Sequence, residues 1–102
     1  VKTIWKFPLA LRPRDVIEMP QGAEILSCGW QGESPMLWAL VDPYAPKTAR
    51  LIVVMPTGAQ CDFAGLTPVS LGRIEPPGTG YIFHLFDLGE KPITPFSEGT
   101  PE

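Results

Sequence analysis

The 102-residue sequence predicts an all-β fold, an antiparallel meander of about seven short strands that forms a small sandwich or open barrel. Three observations carry this. Apolar runs of strand length either alternate with polar residues or fill both faces. Thirteen prolines and ten glycines lie between those runs as turn punctuation. No helix-length window is free of a proline, a glycine or a run of strong β-formers, so a helix has nowhere to settle.

The elements follow in order. "KTIWKFPLAL" alternates, with Thr3, Trp5, Phe7 and Leu9 on one face and Lys2, Ile4 and Lys6 on the other. "LRPRD" turns the chain. "DVIEMP" is a short strand ended by Pro20, and "PQGA" is a turn in which Gly22 is free to take positive φ. Ala23–Gln31 and Pro35–Asp42 read as a hairpin around "QGES". In its first strand Leu26, Cys28 and Trp30 share a face. In its second, Met36, Trp38 and Leu40 lie on one face and Leu37, Ala39 and Val41 on the other. Both faces of that second strand are apolar, which predicts a central strand covered on both sides. After the Pro-rich "DPYAPKTA", "RLIVVMP" reads the same way. "PTGAQCDFAGLTP" is a long irregular segment, and loops of that length in small domains tend to carry function. "PVSLGRIEP" is a strand with a bulge expected at Gly72. "PPGTG" turns into the last strand, "YIFHLFDL". Residues 1–89 therefore form one β domain, and the Pro-rich 90–102 is expected to be a disordered tail.

A chain of this size buries roughly 60–65% of its unfolded surface, enough for a core without disulfides or metal. The net charge is −3 and the eight Lys and Arg residues are scattered. Direct nucleic-acid binding needs a concentrated basic face and is not expected. Cys28 and Cys61 form no CxxC and no zinc-type spacing with the single histidine, so neither a metal nor another cofactor is expected. Cys28 reads as a buried free thiol. No stretch has a signal-peptide pattern or the roughly 20 apolar residues of a membrane helix. A reduced, cytosolic setting is the expectation.

Candidate chemistry centres on few residues. His84 is the only histidine, and it shares a strand face with Ile82 and Phe86. Three roles are open to it: a core imidazole with a hydrogen-bond partner, a ligand or interface contact, or a catalytic base. The third needs an orienting acid and a nucleophile, and Asp87, Asp62, Ser27 and Ser70 stand in no recognised arrangement for it. No catalytic residue is therefore assigned and an enzyme is not expected. Trp38 reads as core, and Trp30, beside a turn, as the tryptophan most open to a stacking ligand. Thr57 and Gly58 lie in a small turn able to offer N–H groups to an anion. Arg50 and Arg73 are the candidate phosphate partners. Ordinary turn and strand roles compete for each of these residues.

The order of motifs is also informative. "KTIWKFPL", "EMPQGAEILS", "LWALVDP", a Thr-Gly turn, "LGRI" and "FHLFD" resemble a family of small phage and prophage proteins, over about Lys2 to Phe86. Members of that family often read Gly-Thr-Gly-His where this chain has Pro56, Thr57, Gly58 and Ala59, and the tail after Leu88 looks additional. The resemblance implies a phage or prophage origin and the cytoplasm of a bacterial host. It implies no particular chemistry. The resulting expectation is an accessory protein of host takeover or counter-defence that acts by binding, as a homo-oligomer. It would inhibit a host protein or sequester a small nucleotide-like signal. A minor structural or assembly component of the phage particle is the alternative.

Overall fold

The computed structural model describes residues 1–91, and the expected tail lies outside the described residues from position 92 onward. Seven strands form in the order the sequence implies: β1 (Thr3–Pro8), β2 (Arg14–Pro20), β3 (Glu24–Gln31), β4 (Ser34–Val41), β5 (Lys47–Pro56), β6 (Val69–Ile74) and β7 (Phe83–Lys91). All pair antiparallel, in two sheets of order β1-β4-β3 and β2-β5-β7-β6. Meander order survives in two hairpins, β3–β4 and β6–β7, while β1 pairs with β4 and β2 with β5, each past two intervening strands, and β5 pairs with β7 past β6. The β3–β4 turn places Gly32 at φ 63° as the first of two central residues, the geometry that a Gly-X hairpin turn requires.

One face of each sheet builds a common core. Met19, Leu37, Ala39, Val41, Ile52 and Leu85 are fully buried there, joined by Leu9, Ile17, Val54 and Ile74. The sheets draw together where β3 meets β6, and the Cys28 thiol there lies 3.4 Å from the Leu71 carbonyl oxygen. Burial at that seam raises the Cys28 pKa and keeps the thiol protonated.

Bulges decide which side chains reach the core, and they explain where simple alternation fails. Between Ile25 and Ser27 the β3 register slips, so Ile25, Cys28 and Trp30 pack inward while Leu26 turns out to solvent. The expected shared face of Leu26, Cys28 and Trp30 is thus corrected by one residue. Gly72, at φ 94°, sits in the β6 bulge that the sequence suggested. A further bulge in β7, at Leu88 and Gly89, could not be read from the sequence. Gly89 adopts φ 95° and its N–H donates to Asp87 Oδ1 at 2.8 Å. Strict alternation would send Asp87 and Glu90 to opposite faces; the extra residue turns both inward.

They converge on Arg50, a residue only 5% exposed. Its guanidinium donates to Asp87 at 2.8 Å and to the Ala23 carbonyl at 2.6 Å, and it lies 3.5 Å from Glu90. Arg50 is therefore a core cation with its charge already matched, not a phosphate ligand. Glu90 also accepts from the Gly22 N–H and the Thr48 hydroxyl. Those contacts, the Gly22 N–H first and the Arg50 charge after it, hold the Glu90 carboxyl below its ordinary value of 4.5 against an opposing desolvation effect. A depressed carboxyl pKa adds stability that is present above the unfolded value and lost as pH falls through the folded one. Glu90→Gln is expected to flatten the acid limb of a stability-against-pH curve below 4.5, measured by urea melts at stepped pH. An unchanged acid limb would show that Glu90 is energetically uncoupled from Arg50.

Candidate functional site

The outer face of the four-stranded sheet is where loop 57–68 crosses β5 and β7. Register sets the floor. Met55 stands opposite His84, and Val53 opposite Phe86, with Arg73 on the far side of His84. These side chains point away from the core because Val54 and Leu85, one position on, point into it. The alternation of "FHLFD" puts His84 and Phe86 on one face, as the sequence indicates, and the fold makes that face the outer one.

The loop is pinned over this floor at three points. Thr57 Oγ1 and His84 Nε2 share a hydrogen bond of 2.8 Å. The Phe63 ring meets Phe86 edge to face, with centroids 5.7 Å apart. Arg14 donates to the Asp62 carbonyl at 3.4 Å. Phe63 is presented by a tight turn closed by Leu66 N–H to Phe63 carbonyl, with Ala64 at φ 55° and Gly65 at φ 79°. Two consecutive positive φ values mark a type I′ turn, where Asn and Gly are at home and alanine is strained. Asp62 Oδ1 offsets part of that strain by accepting the Ala64 N–H at 2.8 Å. Ala64→Asn is expected to raise stability by up to about 1 kcal/mol, read from urea midpoints, since Asn tolerates this backbone better. A loss of stability would mean that the turn is not held in this conformation in solution.

Clefts open beside the loop among the described residues. The first, of about 270 Å³, is lined by Met55, Phe63 and Phe86 with Pro56, Gly58 and Ala59, and its polar edge is His84 with Thr57. The second, of about 190 Å³, lies toward β2 between Arg14, Val53, Gln60 and Cys61. Gly58 takes φ 92°, which the turn at the cleft rim needs.

Of the sequence candidates, Thr57, Gly58 and His84 come together at the first cleft, and Arg73 stands beside it. Arg73 is exposed and sits 3.5 Å from Glu75, a weak surface pair that leaves its guanidinium accessible. Arg50 and Trp30 do not join them. Trp30 packs against the core from the other sheet, and its indole Nε1 is buried with no partner among the described residues. The tryptophan roles are thus exchanged, because Trp38 lies on the outer face of its sheet and outside the core cluster. Sequence reasoning missed Met55, Phe63 and Phe86 as cleft residues. The apolar "LIVVMP" and "FHLF" runs with an aromatic in the long loop were the signal available. Among the described residues, no three His, Cys, Asp or Glu side chains group closely enough to hold a metal ion.

Fold and site together define a small two-sheet β domain with an apolar cleft roofed by one loop. The chain belongs to the family described as Domain of unknown function (DUF7352), which it matches over residues 1–94. Comparison with curated proteins and with solved structures gives no match.

Proposed function

We propose that this chain is a small phage accessory protein that works in the host cytoplasm by binding, using the cleft under loop 57–68 to engage and inhibit a host protein. The observation that carries this is the cleft's chemistry and size. Its walls are Met55, Phe63 and Phe86, with a single polar edge at Thr57 and His84. At about 270 Å³ it falls just short of the roughly 300–1,000 Å³ of pockets that enclose drug-sized ligands. It suits one apolar or aromatic side chain of a protein partner, with the Thr57–His84 pair as its polar edge. The resemblance to phage and prophage proteins supplies the setting. The nucleotide-sequestering version loses support, since Arg50 is committed to Asp87 and Trp30 to the core.

The test is site-specific photo-crosslinking in bacterial cells. A crosslinker at Ala59, on the cleft rim, should capture one discrete host protein, and Phe86→Ala should abolish that capture. A crosslinker at Glu18, exposed on β2, should not capture it. Equal capture from both positions, or none from either, would refute binding through the cleft. A thermal shift with a panel of nucleotides would restore the sequestering version, and many copies in purified virions would favour a structural role.

A further inference from the structure

The three-stranded sheet has a second apolar face that the described residues leave partly open to solvent. Leu37, Ala39 and Val41 of β4 are fully buried in the core, so Met36, Trp38 and Leu40 face outward. Ile4 on β1 joins them and is 58% exposed, directly opposite Leu40. The Trp38 ring lies over Gly29 of β3, 3.8 Å from where a side chain at that glycine would begin. Gly29 thus gives the half-buried indole a flat seat. Lys6 of β1 reaches across one end of the patch to Gln31 of β3, with Nζ donating to Oε1 at 2.6 Å. The sequence implied a β4 covered on both sides; among the described residues one side is fully buried and the other half-buried.

We infer that this face is a two-fold interface between two copies of the chain, centred on Trp38. The charge pattern selects a second copy. Lys6 on β1 stands opposite Trp38, and Glu24 on β3 stands opposite Leu40, so both project from the outer face. Lys6 springs from the strand at one edge of the apolar stripe and Glu24 from the strand at the other. A two-fold axis running along β4, in the plane between two such faces, lays each β1 over the partner's β3. Each Lys6 then exchanges Gln31 for the partner's Glu24, two ladder positions or about 7 Å along the strand. The alternative axis, across the strands, would set Lys6 over Lys6. Sheets packed this way lie about 10 Å apart with strands roughly aligned. A central Trp ringed by polar residues is also the usual hot-spot layout. Three strands of this length offer a face of about 15 by 25 Å, small beside the roughly 800 Å² per partner of a standard interface. The dimer is accordingly expected to be weak and concentration-dependent.

Sedimentation equilibrium across a wide concentration range tests this on the full chain. A reversible monomer–dimer equilibrium is expected, and Trp38→Glu should weaken it at least tenfold with the far-UV spectrum unchanged. Leu40→Asp should do the same and guards against misfolding of the first variant. Lys6→Glu and Glu24→Lys should each weaken the dimer, and the double exchange should restore it. A monomer at every concentration, or a dimer indifferent to Trp38→Glu and Leu40→Asp, overturns the proposal. So does a double exchange that fails to recover association. The cleft lies on the other sheet, so these outcomes leave the host-binding reading untouched.

Discussion

Replacing Arg50 with methionine is expected to cost about 3–5 kcal/mol of folding stability, which is the scale of breaking one side of a buried ion pair. The stem of the side chain survives this change, so the loss isolates the guanidinium. What remains is the Asp87 carboxylate with 16% of its side chain exposed, without its 2.8 Å partner, and the Ala23 carbonyl without its donor. A domain of this class has about 5–15 kcal/mol in total, so the variant should be marginal at physiological temperature. Removing both charges with Arg50→Met and Asp87→Leu should recover much of the loss, because no carboxylate is then left buried and unpaired at Asp87. Arg73→Ala is the internal control. Its pair with Glu75 is exposed on both sides, and the change should stay within about 0.5 kcal/mol. Chemical denaturation of the four proteins reads all of these. An Arg50→Met variant as stable as Arg73→Ala would show that the core ion pair does not form in solution.

Those two arginines also show how far the sequence could be read. Both sit in strands, and by residue type both are equal candidates to hold an anion. Their difference comes from a bulge at Leu88 and Gly89, which carries Asp87 and Glu90 to the same face as Arg50. An i, i+3 pair of acids on a strand gives no hint of this, since the period-2 rule separates them. Alternation worked wherever pairing was regular. It put Leu85 and His84 on opposite faces without saying which was inner, and it marked both faces of β4 as apolar. It failed in β3, where the slip after Ile25 exchanges the faces and draws Trp30 into the core. The long loop was legible as an irregular segment from its length and composition. That Phe63 would fold back onto Phe86 was not, because a type I′ turn at Ala64–Gly65 carries only one of its two usual signature residues. Strand identity is a local property. Sheet membership and bulge position are not, and the site depends on both.

The second large effect separates stability from binding within two adjacent residues of "FHLFD". Leu85 is fully buried between the sheets, and Leu85→Ala should cost about 2–5 kcal/mol by removing apolar contacts and leaving a cavity. For a domain of this size each kcal/mol moves the melting midpoint by roughly 4–8 °C, so the shift will be plain in a thermal melt. Phe86 points the other way, half-buried under Phe63 at the cleft floor. Phe86→Ala loses an edge-to-face pair worth about 0.5–1.5 kcal/mol together with part of the ring's burial, with no closed cavity left behind because the site is open to solvent. Its stability cost should be clearly the smaller, while the wall proposed to grip a partner's side chain is gone. The contrast carries the test. If Leu85→Ala protein that remains folded at low temperature still captures the partner through Ala59, and folded Phe86→Ala protein does not, the cleft acts directly. If capture follows stability in both variants, loss of binding is only loss of fold, and the outer face of the four-stranded sheet has no claim to be the site.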